Sequence, residues 1–173
     1  RIPWVLRSYE VIRLCLRPTY FQDGLATVHN ADFLRDARFE KALQAADQQE
    51  KLKCLWRLHT LLWAGSQAVL LKGDFVECGV NRGALSAGVM SYVDFSSLLD
   101  RKFYLFDTFS GVVPDLVSPD DTAAFYNEYS DSYQFVSDTL GKIPNVAIVK
   151  GPVPYTLTEV NIESVAYLHI DMN

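Results

Sequence analysis

The chain lacks most features of a secreted, zinc-stabilised or membrane-spanning protein. Its 173 residues include three cysteines, Cys15, Cys54 and Cys78, which form no C-x-x-C pair. This spacing indicates neither a zinc site nor a disulfide framework, and predicts buried thiols in a reducing compartment. Gln67 interrupts the longest apolar run, 61–71, which is well short of the roughly 20 residues that span a bilayer. N-terminal arginines break up any signal-peptide core, so we expect a cytoplasmic protein.

Positive charge is scarce and unevenly distributed. The formal net charge is −5, and no Lys or Arg occurs between Lys102 and Lys142. Residues 1–18 carry four arginines and one glutamate, a net charge of +3, which leaves −8 for the remainder. An acidic chain argues against a nucleic-acid-binding protein. The basic, amphipathic segment 1–18 is typical of a helix packed on its own domain or on a second copy, with a membrane surface or another partner as the alternative.

The sequence does contain short apolar runs that alternate with helical patterns. Segment 51–71 repeats apolar residues at steps of three and four and predicts a helix, and a more polar helical stretch, 30–49, precedes it. Four apolar runs predict strands: one around Phe75, then 102–106, 146–149 and 165–171. This order predicts a Rossmann-like α/β sheet, 71–173, with an N-terminal helical extension, 1–70.

The first predicted strand runs into a turn with two glycines, and a helix of small residues opens at Ala84. Open α/β sheets bind nucleotide-like cofactors at such a turn. Gly79 lets the chain turn sharply, and Gly83 lets the backbone approach a ligand. Asp107 ends the next strand, 24 residues after Gly83, where a carboxylate can bind a ribose diol. A tight turn without a ligand is the alternative.

The glycine spacing distinguishes between two cofactors. A dinucleotide site has the pattern G-x-G-x-x-G. Here the pattern is E-x-G-x-x-x-G, from Glu77 to Gly83, with Asn81 in place of the middle glycine. A side chain there crowds a pyrophosphate but not an amino-acid tail, so S-adenosylmethionine fits better than NAD. A dehydrogenase-like enzyme remains a second hypothesis, and a non-catalytic interaction fragment a third.

Asp171 ends the last predicted strand, at the edge where α/β sheets have their active sites. Methyl transfer to an alcohol needs a carboxylate base, a divalent metal or both, and Asp171 is well placed for either role. A capping or salt-bridged aspartate is an equal alternative. His169 shares its strand face, but two ligands are too few for a metal site. Hydrolysis by a Ser-His-Asp triad is disfavoured because no G-x-S-x-G elbow occurs.

Four motifs together resemble those of the TylF/MycF-type macrocin O-methyltransferases, in the same order: 73–83, 104–111, 150–157 and 168–171. The resemblance implies a class I, S-adenosylmethionine-dependent enzyme that methylates hydroxyl groups, often on sugars, with the help of magnesium. The expected fold is a class I methyltransferase sheet that is incomplete after its fourth strand. The expected partners are a small-molecule or sugar acceptor and further copies of the chain.

The resemblance also implies roles for individual residues. Asp107 and Thr108 would bind the ribose, Lys150 and Gly151 would flank the adenine, and Asp171 would be the catalytic or metal-binding aspartate. The residues around the methionine part would be Glu77, Gly79, Arg82, Gly83 and Ser86.

Four residues depart from the family pattern. Asn81 replaces an aromatic residue, Tyr155 replaces an aspartate, and Met172-Asn173 replaces a Gly-Asp pair. The family's further acidic metal ligands would follow Asn173. In a sheet that is incomplete after its fourth strand, the strand 165–171 would lack a neighbour on one side, so we expect the 173-residue chain to self-associate there. We also expect this chain to methylate no acceptor alone, because half of the acceptor site would be missing.

Overall fold

The computed structural model describes residues 17–116 and 131–172. The basic segment predicted at the N-terminus therefore lies almost wholly outside the described residues. Ten regular elements occur within the described ranges, in this order: β1 Tyr20–Gln22, β2 Leu25–Thr27, α1 Ala37–Gln49, α2 Leu55–Ala68, β3 Asp74–Cys78, α3 Ala84–Val93, β4 Phe103–Asp107, α4 Tyr133–Thr139, β5 Val146–Lys150 and β6 Val165–Ile170.

Strands β3 to β6 form one parallel sheet in the order β5-β4-β3-β6. The two central strands, β3 and β4, each have four of their five residues buried. Parallel strands covered on both faces are mostly apolar, and the buried exception in these two strands is Glu77. The Rossmann-like sheet and its four predicted strands are therefore confirmed.

The main core lies between the sheet and helices α1, α2 and α3. Phe75 of β3 is fully buried, and its ring centroid lies 5.1 Å from that of Phe95. Gly88 of α3 lets α2 approach closely, since a Cβ atom there would lie 2.7 Å from Leu58 Cδ1. Ala42 of α1 is buried in the same cluster. The N-terminal helices and the sheet thus share one continuous core.

The second face of the sheet is covered unevenly. Val76 and Phe106 are buried there beneath residues of the segment that follows β5, including Val153 and Ile162. Across the β3–β6 pairing, Leu168 lies beside Val76 and Ile170 beside Cys78. Yet Leu168 is 57% exposed and Ile170 62% exposed. Within the described residues, β6 pairs with β3 alone and carries an uncovered apolar strip.

A short antiparallel hairpin of β1 and β2 adds to the predicted helical extension. Its two turn residues, Asp23 and Gly24, have φ values of 54° and 71°. Two-residue hairpin turns with positive φ at both positions favour the Asp-Gly pair. The hairpin also caps α2: Gln22 Oε1 accepts from the N–H of Leu55, and the Tyr20 hydroxyl accepts from the N–H of Trp56. These bonds satisfy N–H groups that have no partner within the helix.

Candidate active site

A cavity of about 640 Å³ opens at the carboxyl ends of the parallel strands. Its volume falls within the roughly 300–1,000 Å³ of small-molecule sites. Seven of the residues that the sequence assigned to a site line it: Glu77, Gly79, Arg82, Asp107, Thr108, Gly151 and Asp171. Gly83, Ser86 and Lys150 lie outside its lining.

Asp107 organises the turn that follows β3. Its Oδ2 accepts hydrogen bonds from the N–H groups of Val80 at 2.5 Å and Asn81 at 2.7 Å. Its Oδ1 accepts from the N–H of Phe109 at 2.6 Å. The carboxylate therefore joins the segments after two neighbouring strands. A carboxylate has about four acceptor sites, and these three bonds leave little of that capacity for the ribose that the sequence assigned to Asp107.

Two glycines let this turn pass close to its neighbours. Gly79 has a φ of 89°, and a Cβ atom there would lie 2.3 Å from the carbonyl oxygen of Asp171. Gly83 has a φ of 80°, and a Cβ atom there would lie 2.6 Å from Leu140 Cδ1. Gly79 therefore allows the β3 turn to lie directly against the end of β6.

Contacts from other elements also hold the turn. The Ser132 hydroxyl donates to the carbonyl oxygen of Asn81 at 2.7 Å. Arg82 Nε donates to the Gln49 carbonyl at 3.2 Å, and the guanidinium lies 4.0 Å from the Phe135 ring centroid. Such cation–π contacts stabilise a guanidinium without pairing its charge.

Three further site residues also have partners within the protein. Thr108 Oγ1 donates to the Gly111 carbonyl at 2.6 Å. Lys150 Nζ lies 4.5 Å from the Tyr133 ring centroid. Gly151 adopts a φ of 146° and donates its N–H to the Asp107 carbonyl at 2.8 Å.

Glu77 is a buried carboxylate at the base of the cavity. It accepts a hydrogen bond from the Ser86 hydroxyl, and its Oε1 lies 3.0 Å from Nδ1 of His169. Burial raises the pKa of Glu77, against the opposing effect of its bond with His169. Burial alone would lower the pKa of His169, but the contact with Glu77 outweighs it and raises that pKa. Ser86 therefore supports Glu77 and makes no direct contribution to the cavity wall.

Asp171 lies directly after β6 on the cavity wall. Its N–H donates to the Cys78 carbonyl at 2.8 Å, which continues the β3–β6 pairing. Its Oδ1 lies 3.7 Å from a terminal guanidinium nitrogen, Nη1, of Arg57, which also lines the cavity. The carboxylate therefore has a cationic neighbour.

The magnesium that the resemblance implies does not fit the described residues. No group of three His, Cys, Asp or Glu side chains among them could hold a metal ion. Asp171 faces Arg57, and His169 Nδ1 is engaged by Glu77.

The parallel sheet and the cavity at its carboxyl edge define a Rossmann-like α/β protein with a small-molecule site. A solved structure with the same fold is described as the O-methyltransferase NovP; it matches 97% of this chain and 71% of its own, with 18% identity and a TM-score of 0.55. The family model for macrocin-O-methyltransferase (TylF) matches residues 56–173, about two thirds of the chain. The chain therefore belongs to the TylF macrocin-O-methyltransferase family and is a methyltransferase. No curated protein matches it significantly in sequence.

Sequence reasoning missed Arg57 and its partner Asp23. Arg57 Nε and Nη2 donate to the two carboxylate oxygens of Asp23, at 2.7 and 2.9 Å. The Asp-Gly pair at 23–24 was the available signal, because it marks a hairpin turn. Nothing in the local sequence indicates that this turn reaches a helix more than 30 residues later.

None of the described helices is both long enough and apolar enough to cross a membrane.

Proposed function

We propose that this protein transfers the methyl group of S-adenosylmethionine to a hydroxyl group of a small molecule or sugar. The observation that carries the proposal is the Asp107-bound turn after β3, which lines one cavity together with Asp171. Family membership supports methyl transfer to oxygen. Asn81 gives the turn a side chain where a dinucleotide site has glycine, which favours this cofactor over NAD.

The turn and the segments after β4 and β5 would hold the cofactor. The Glu77 carboxyl at the cavity base suits the cofactor's amino group as a hydrogen-bond acceptor, and Arg82 suits its carboxylate. We assign Thr108 and the remaining acceptor capacity of Asp107 to the ribose, and Gly151 to the adenine. Gly83, Ser86 and Lys150 then act indirectly, by shaping the turn, holding Glu77 and packing on Tyr133.

Asp171 would act on the acceptor. The bound cofactor supplies an electrophilic methyl group on a sulfonium, so the protein has to orient the hydroxyl and remove its proton. Asp171 Oδ1 and Oδ2 are the carboxylate oxygens available on the β6 side of the cavity for that proton. No step is assigned to a metal ion.

Three wider assignments belong to the same proposal. We assign residues 1–70 to an extension and residues 71–173 to a cofactor-binding part; the described helices of the extension, α1 and α2, share a core with the sheet. The free thiols of Cys54 and Cys78 support a reducing, cytoplasmic location. The apolar strip on β6 supports self-association.

Calorimetry on the full-length protein tests the cofactor. We expect S-adenosylhomocysteine to bind and NADH not to bind. Transfer of a labelled methyl group from S-adenosylmethionine to hydroxyl-bearing acceptors then tests the reaction. Binding of NADH without S-adenosylhomocysteine would contradict the proposal.

A further inference from the structure

The Arg57 guanidinium is held along one edge and directed into the cavity along another. Nε and Nη2 form a two-bond contact with Asp23, while Nη1 lies 3.7 Å from Asp171 Oδ1. A guanidinium has five N–H donors in a rigid plane, so fixing one edge also fixes the direction of the others. The N–H groups of Nη1 therefore lie beside Asp171 within the cavity.

The hairpin of β1 and β2 fixes the positions of both Asp23 and Arg57. Asp23 sits in the tight turn, and the strand before it caps the first turn of α2 through Tyr20 and Gln22. Arg57 belongs to that same first turn of α2. The hairpin thus sets the position of the helix that carries Arg57 and supplies the carboxylate that orients its side chain. The hydrogen bonds from Arg57 also hold the pKa of Asp23 below its usual value.

The sheet order separates Arg57 from the proposed cofactor contacts. Asp107 ends β4 and Gly151 follows β5, on one side of β3, whereas Asp171 follows β6 on the other side. Arg57 adjoins Asp171. It therefore belongs to the half of the cavity that the proposed function leaves for the acceptor.

We propose that Arg57 binds the acceptor and that Asp23 of the hairpin is the positioning residue that aims it. The proposal rests on the proposed function, because it needs a hydroxyl acceptor beside Asp171. The reacting hydroxyl donates to Asp171, and Nη1 of Arg57 donates to an oxygen on the adjacent carbon. Arg57 lies between Asp23 and Asp171, so the local net charge is negative. An anionic group would be repelled there, and this second oxygen therefore belongs to a neutral group. The site therefore selects a vicinal pair of oxygens.

The first test needs no acceptor. Asp23→Asn removes the charge and keeps a residue that tolerates positive φ, so the turn is expected to form. Phenylglyoxal, which modifies free guanidinium groups, should then label Arg57 at least about threefold faster than in the unmodified protein, because the paired edge is released. Arg35 serves as an internal control, and Asp100→Asn, which removes a remote partner of Arg101, as the matched variant. Equal labelling of Arg57 in both proteins would overturn the positioning role.

The second test uses minimal acceptors in the full-length protein. With S-adenosylmethionine present, 1,2-propanediol should be methylated faster than 1-propanol. Arg57→Lys should lower the ratio of these two rates about tenfold, because a lysine lacks the planar fork of the guanidinium. Asp23→Asn should reduce it in the same direction, while the affinity for S-adenosylhomocysteine stays unchanged in both variants. Equal rates with the two alcohols, including no transfer above a blank, would overturn the acceptor contact. Failure of the unmodified protein to bind S-adenosylhomocysteine would instead overturn the proposed function.

Discussion

A single carboxylate, that of Asp107, joins the segments that follow two neighbouring strands, β3 and β4. Its three backbone partners lie in the turn after β3 and in the segment after β4. Bonds from backbone N–H groups to an ionised carboxylate are among the stronger hydrogen bonds in proteins. Asp107 therefore shapes the cofactor turn before any ligand arrives.

Asp107→Ala tests this double role. We expect the affinity for S-adenosylhomocysteine to fall by roughly 2–4 kcal/mol in calorimetry, because ligand contacts and the shape of the turn are lost together. Urea denaturation should also show a lower free energy of unfolding. Asp100→Ala, an exposed aspartate remote from the cavity, is the control. Unchanged affinity would remove Asp107 from the cofactor site.

Asp171→Asn separates chemistry from binding. The amide keeps the shape of the side chain but cannot take the hydroxyl proton, so turnover should fall at least ~100-fold while cofactor affinity is retained. Steady-state methyl transfer and calorimetry on the full-length protein measure the two quantities. Wild-type turnover in this variant would mean that Asp171 is structural.

The contact between the β3 turn and the end of β6 is a property of two elements. Gly79→Ala places a Cβ atom 2.3 Å from the Asp171 carbonyl oxygen at a φ of 89°. We expect the free energy of unfolding to fall by more than about 2 kcal/mol, with the cavity edge displaced. Gly141→Ala is the control, since its Cβ atom would meet the flexible tip of Ile148 at 3.1 Å. Similar losses in urea denaturation for both variants would argue against a special contact at Gly79.

Strand β6 presents its apolar strip and one edge without a pairing partner among the described residues. Sedimentation velocity should therefore show concentration-dependent self-association of the 173-residue chain, because such an edge pairs readily. Leu168→Lys, which places a charge on the strip, should shift the chain towards monomer. A monomer at high micromolar concentration without this substitution would contradict the prediction.

The regular elements could largely be predicted from the sequence, because each has a local pattern. The apolar runs of β3 and β4 and the three- and four-residue steps of α2 are visible in any short window. The hairpin was missed because its strands are three residues long and carry little periodicity. The Arg57–Asp171 contact could not be predicted, since it depends on how a helix packs beside a strand more than 100 residues later.

At the scale of the whole molecule, the shared core implies one cooperative unit. All three tryptophans lie before residue 71, whereas the parallel sheet lies after it. Tryptophan fluorescence and far-UV circular dichroism should therefore report coincident unfolding transitions in urea, because α1 and α2 pack directly on α3 and the sheet. Two separated midpoints would show that residues 1–70 form an independent domain.

The capping of α2 by the hairpin has a practical consequence for anyone who shortens this protein. The family match starts at residue 56, in the middle of the first turn of α2. An expression clone cut there would remove Leu55 as well as Tyr20, Gln22 and Asp23, and so would lose the hydrogen-bonded start of α2 and the orienting partner of Arg57. Such a clone would keep every family motif and still begin with a frayed helix. A useful boundary lies upstream of the hairpin.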